Sequence, residues 1–126
     1  MGESIRNEAS VLIVDDDPEL RHALCLLFEF EDFDVVGEAE SGVEAVGLAL
    51  KHQPDLVILD YRMPRLDGEG TAELLRAVCP QSRIVAFSAV LSAKPPWADA
   101  YLNKSHITEV APLLQTLIRE RAPAPG

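Results

Sequence analysis

Residues 55–68 read DLVILDYRMPRLDG, and the first six of them decide the fold. Leu56 to Leu59 is apolar without a break, and two of its four residues are β-branched. A strand with one wet face alternates apolar and polar residues, whereas a strand covered on both faces does not. This run therefore predicts an inner strand of a parallel sheet, ending abruptly in the carboxylate of Asp60. Asp67 and Gly68 read as a turn beyond it.

Similar runs recur on either side: Val11 to Val14, Asp34 to Gly37, Ile84 to Phe87 (within Arg83–Ser88), and a short element from Ala100 to Asn103. Helical periods separate most of them. Asp17 followed by Pro18 predicts a capped helix start, with Ala23, Leu24 and Leu27 on its inner face. Ser41-Gly-Val-Glu44 predicts a capping box, after which Val43, Val46 and Leu50 fall at helical spacing. Thr71 to Val78 is expected to bury Leu74, Leu75 and Val78. The last helix carries Val110, Leu113, Leu114, Leu117 and Ile118 on one stripe, and is expected to begin near Thr108 with Pro112 in its first turn. Strands alternating with helices define an α/β domain with a parallel sheet. The link from the fourth strand to the fifth breaks the pattern, because a parallel crossover normally takes a dozen or more residues and a helix.

The chain has 126 residues, which is one domain with a core of its own. That domain is expected over residues 10–121, with a flexible N-terminus at 1–9 and a Pro/Ala tail at 122–126. A net charge of −10 argues against direct contact with nucleic acid, whose phosphates demand a basic face. No run approaches the length of a membrane span and no signal-peptide pattern opens the chain, so a cytoplasmic protein without membrane contact is expected. Cys25 and Cys79 lack metal-ligand spacing and read as reduced core thiols. His22, His52 and His106 read as surface residues.

In an open parallel sheet, function gathers at the carboxyl ends of the strands. Here those ends carry Asp15 and Asp16, Asp60, Ser88 and Lys104. Two unit charges ~4 Å apart at an effective dielectric near 20 repel by about 4 kcal/mol. Crowded carboxylates therefore need a cation, either the ammonium of Lys104 or a divalent ion. An all-oxygen donor set suits Mg²⁺, and the lack of His or Cys argues against zinc. Such a site suits phosphoryl transfer, with Asp60 as a carboxylate nucleophile and Asp15 and Asp16 holding the metal.

VLIVDDDPEL, DLVILDYRMPRLDG, VAFSA and AYLNKS, in that order, resemble the receiver domain of two-component response regulators. The resemblance implies a flavodoxin-like, doubly wound five-stranded sheet of order 2-1-3-4-5. It implies Asp60 as phosphoacceptor, with Mg²⁺ held by Asp15, Asp16, Asp60 and the backbone carbonyl of Arg62. Ser88 and Tyr101 fill the switch positions, and Lys104 the lysine position. A histidine kinase or phosphotransfer protein would supply the phosphoryl group, and a downstream protein would read it. The chain would thus be a signalling switch and not an enzyme. A pseudo-receiver that binds without phosphorylation is the alternative. A Mg²⁺-dependent aspartyl phosphohydrolase is a further one, but Arg62 stands where those enzymes carry a second Asp.

Two departures from the family pattern stand out. Ser105 follows Lys104 where many receivers have Pro, so a trans peptide is expected there. The stretch SAVLSAKPPWADAYLNKS (88–105) is too short for the usual helix between strands four and five, which is expected to be truncated or absent. At most one helical turn around Val90 to Lys94 is expected, then an extended Pro-Pro-Trp segment in which Trp97 either covers apolar sheet that a helix would otherwise shield or stands partly exposed to dock a partner.

Overall fold

In the computed structural model, which describes residues 9–61, 68–90 and 93–121, β1 (Ser10–Val14) lies between β2 (Asp34–Ala39) and β3 (Leu56–Leu59), parallel to both. Beyond β3 come β4 (Arg83–Ser88) and the edge strand β5 (Ala100–Asn103), completing the order β2-β1-β3-β4-β5. The inner strands bury both faces, which is why their sequences do not alternate. Val11, Ile13, Leu56 and Ile58 face one core, beneath α1 (Pro18–Phe30) and the C-terminal α4 (Val110–Arg121). Leu12, Val14, Val57 and Leu59 face the other, beneath α2 (Gly42–His52) and α3 (Gly68–Val78).

The helix starts follow local chemistry. The Asp17 carboxylate accepts from the N–H groups of Glu19 and Leu20. Ser41 Oγ accepts from Glu44 N at 3.2 Å, and the Glu44 carboxylate accepts from Glu40 N at 2.9 Å. A 3₁₀ segment, Lys104–Glu109, leads into α4, whose third residue is Pro112, where no helical hydrogen bond is lost. The α4 stripe is buried as expected, with Val110, Leu114 and Leu117 innermost. Cys79 is buried and Cys25 half-buried. The three histidines are exposed.

The inward faces of three helices differ from the sequence expectation. In α2 the fully buried residues are Gly42, Ala45 and Ala49, half-buried Val46 and Leu48 pack against the same core, and Val43 and Leu50 point outward. Both sets have helical spacing, and the small set lets the helix lie closer to the strands and to α3. Leu74 in α3 is likewise exposed, while Thr71, Ala72 and Leu75 face inward. Ala23 in α1 is exposed, leaving Leu24 and Phe28 as its buried anchors.

Between β4 and β5 the described residues form bends and turns and no helix. Leu91 and Ser92 lie outside the described residues, and with them part of the single turn expected there. Pro95 is buried, and Trp97 packs against the core under α2 and α3. Arg76 of α3 holds this strap in place, donating to the Trp97 carbonyl at 2.9 Å and to Asp99 Oδ2 at 3.1 Å. Asp99 in turn pairs with both backbone groups of Ile84, at 2.8 Å each. The strap thus replaces a helix by covering apolar sheet with one large ring. Among the described residues no peptide bond is cis, and no helix is long and apolar enough to cross a membrane.

Candidate functional site at the carboxyl edge of the sheet

The register of the sheet assembles the site. Val14 is level with Leu59, so Asp15 and Asp60 leave neighbouring strands at the same height. Asp60 N donates to Val14 O and Asp15 N to Ala39 O, both at 3.0 Å, which extends the ladder one residue past each strand. Both side chains are buried, Asp15 being 2% and Asp60 4% exposed, while Asp16 is open to solvent. Oxygens of Asp15, Asp16 and Asp60 lie within 4.8 Å of one another.

Lys104, one residue beyond β5, reaches back across the edge. Its Nζ lies 2.8 Å from Asp15 Oδ2 and 3.4 Å from Asp60 Oδ2. Burial works against the charged ammonium, but the hydrogen bond to Asp15 and the charge of Asp60 outweigh it and raise Lys104 above its ordinary pKa. Asp15 is fixed further: its Oδ1 accepts from Asp17 N at 2.9 Å, and its carbonyl accepts from Arg21 Nη1 at 2.6 Å. Three carboxylates against one bridging ammonium leave an acidic, all-oxygen pocket with one solvent-facing ligand. That donor set fits a hard divalent cation that keeps part of its water shell.

Ser88, at the end of β4, is buried and its Oγ accepts from Val90 N at 3.2 Å. Leu59 pairs with Ala86, so Ser88 emerges one residue beyond the level of Asp60. Tyr101 is half-buried on β5, and its hydroxyl accepts from Asn103 Nδ2 at 3.4 Å. It lines an open groove of about 530 Å³ with Val90, Asn103 and His106. Arg62 and Asp67 lie outside the described residues, so the backbone-carbonyl ligand expected at Arg62 and half of the expected Asp67-Gly68 turn do as well.

Sequence reasoning missed the support beneath Asp60. Gly68 N donates to Tyr61 O at 2.8 Å, and a Cβ on Gly68 would stand 2.8 Å from Tyr61 Cα. Only glycine lets α3 begin so close to the backbone that follows Asp60. On its other side Tyr61 stacks on Trp97, with ring centroids 6.2 Å apart and an interplanar angle of 5°. Two aromatics far apart in the chain gave no sequence signal of this contact.

The fold is one that known proteins share. The chain belongs to the response regulator receiver domain family, which it matches over residues 11–105. It is 38% identical over 114 residues to the transcriptional regulatory protein PdtaR of Mycobacterium tuberculosis, covering 86% of this chain and 56% of that protein. It is 38% identical over 108 residues to the nitrate/nitrite response regulator NarL of Escherichia coli K12, covering 80% of this chain and 50% of NarL. The chain thus spans about half the length of these curated relatives. Its structure superposes on the response regulator domain of Thermotoga maritima CheB with a TM-score of 0.79 at 27% identity, covering 94% of this chain and all of that domain. A CheY-like receiver domain from Methylobacillus flagellatus gives a TM-score of 0.77 at 26% identity, covering 87% and 98% of the two chains. The family is one of two-component signalling receivers rather than enzymes.

Proposed function

We propose that this chain is a phosphorylation-controlled receiver in which Asp60 accepts a phosphoryl group from phosphohistidine on a kinase or phosphotransfer protein. The observation that carries the reading is the bridge from Lys104 Nζ to both Asp15 and Asp60, beside a third carboxylate. A carboxylate oxygen of Asp60 attacks phosphorus and the P–N bond of the donor breaks. The electron pair stays on the imidazole nitrogen, which takes up a proton, and Asp60 becomes an acyl phosphate. Asp15, Asp16 and Asp60, with the Arg62 carbonyl, would hold Mg²⁺, which when bound supplies charge neutralisation at the phosphoryl oxygens. Lys104 contributes a positive charge already placed beside Asp60, so little reorganisation is needed as negative charge builds.

Phosphorylation adds about −1.5 to −2 charges at this edge. Ser88 Oγ then turns its hydroxyl toward the phosphoryl oxygens and Lys104 pairs with them. Turning Tyr101 inward requires its bond with Asn103 to open, which changes the groove beside β5. A protein target reads that change in the cytoplasm. Residues 10–121 make up the receiver, flanked by 1–9 and 122–126. The net charge of −10 favours a protein target over direct contact with nucleic acid.

Intact mass after incubation with Mg²⁺ and acetyl phosphate tests this. The wild-type chain gains one acid-stable, base-labile phosphoryl group and Asp60→Asn gains none. Wild type without an adduct from acetyl phosphate or any phosphohistidine donor would leave a binding module not controlled by phosphorylation.

A further inference from the structure

The α2/α3 layer turns apolar side chains away from the core. Val43 and Leu50 of α2 are 68% and 61% exposed, and half-buried Val46, which also packs against the core, stands between them at the spacing i, i+3 and i+7. That spacing is a single helical stripe. Gly47, beside Val46, has open space where a side chain would be. Leu74 of α3 is 45% exposed and lies one turn before Val78, whose carbonyl accepts from Gln53 Nε2 at the end of α2. Leu74 is therefore on the flank of α3 that faces α2. Exposed apolar residues grouped on one helix stripe, with another on the neighbouring helix, are the kind of surface that takes part in interactions, unlike singly scattered residues.

Its charges are polarised. Glu40 and Glu44 are exposed at the N-terminal end of α2, and Glu69 and Glu73 in the first half of α3. Lys51 and His52 are exposed at the C-terminal end of α2. Acid at the start and base at the end also complement each helix's own dipole, but the dipole does not explain the apolar stripe between them. A face with this polarity is complementary to itself turned end for end, while a parallel pairing sets like charges together. The whole chain carries a net charge of −10, which opposes contact between copies except where opposite charges are paired.

We propose that this face is an isologous self-association surface, on which two copies pack α2 against α2, antiparallel, about a two-fold axis between Val46 and Gly47. Val43 of each copy then meets Leu50 of the other, and Lys51 of each faces the Glu40/Glu44 end of the other. The acidic pocket takes no part, so the association does not depend on the phosphoacceptor reading.

Sedimentation velocity from micromolar to submillimolar concentration tests it on the unphosphorylated chain. Leu50→Lys and Lys51→Glu change exposed side chains, and circular dichroism checks that both variants stay folded. Wild type shows a concentration-dependent dimer, Leu50→Lys is monomeric, and Lys51→Glu dimerises about tenfold more weakly at low salt. Glu40→Lys combined with Lys51→Glu restores dimerisation; Glu40 is chosen because the Glu44 carboxylate caps the helix. A wild type that stays monomeric overturns the proposal. So does a dimer untouched by Leu50→Lys, or a double variant no tighter than Lys51→Glu alone.

Discussion

The rings of Tyr61 and Trp97 stack 5° from parallel, 6.2 Å apart. The contact ties the residue after Asp60 to the strap between β4 and β5. Trp97 is the chain's one tryptophan, so its emission reports on this contact directly. We expect Trp97 fluorescence to change in intensity when Mg²⁺ and acetyl phosphate are added, and to stay constant in Asp60→Asn. Trp97→Ala should lower unfolding free energy by about 2–3 kcal/mol, below the range for a fully buried ring, with Trp97→Phe recovering most of it. Urea titrations give both values, and a loss below about 0.5 kcal/mol would show that the strap does not depend on the ring.

Gly68 is the second support of Tyr61. Gly68→Ala puts a methyl carbon within 2.8 Å of a backbone atom that has no flexible end to move. We expect a loss of about 1–3 kcal/mol in urea unfolding, with slower acyl phosphate formation because the chain after Asp60 must shift. Unchanged stability and rate together would show that the loop yields freely.

Alkaline pH should weaken the fold through two groups. Lys104 binds its proton more tightly folded than unfolded. Its stabilisation is therefore complete below the unfolded value near ~10.4 and is lost as pH rises through the higher folded value. Burial, reinforced by Glu38, pushes the Cys25 thiol up to about 12. An unfolded thiol ionises near ~8.5, so stability falls between that pH and the folded value as the unfolded chain gains charge the folded one refuses. Urea midpoints should hold to about pH 8 and then decline, and Cys25→Ala should remove the earlier part of the decline. A flat profile to pH 11 would contradict both shifts.

The acidic pocket was legible because its signals are local. Asp15, Asp16 and Asp60 each follow an unbroken apolar run, and strand ends in a parallel sheet share an edge. Lys104 was legible by the same rule, and the structure adds that it bridges two carboxylates instead of only balancing charge nearby. The missing helix before β5 was legible from chain length and Pro95-Pro96. The arrangement that replaces it was not, since Arg76, Trp97 and Asp99 meet Ile84 and Tyr61 across large sequence separations.

By itself, then, the sequence determined the order of strands and helices, the helix caps and the chemistry at the sheet's carboxyl edge. Each of these depends on a few consecutive residues and on the period of apolar side chains. Only the tertiary structure decided which side of α2 is buried and what Trp97 lies against. Two stripes of α2, Ala45/Ala49 and Val43/Val46/Leu50, have equally good helical spacing, and periodicity cannot choose between them. The choice falls to the helix's neighbours: small residues let α2 sit close to the sheet and α3, Val46 and Leu48 pack at the edge of that contact, and Val43 and Leu50 are left facing outward.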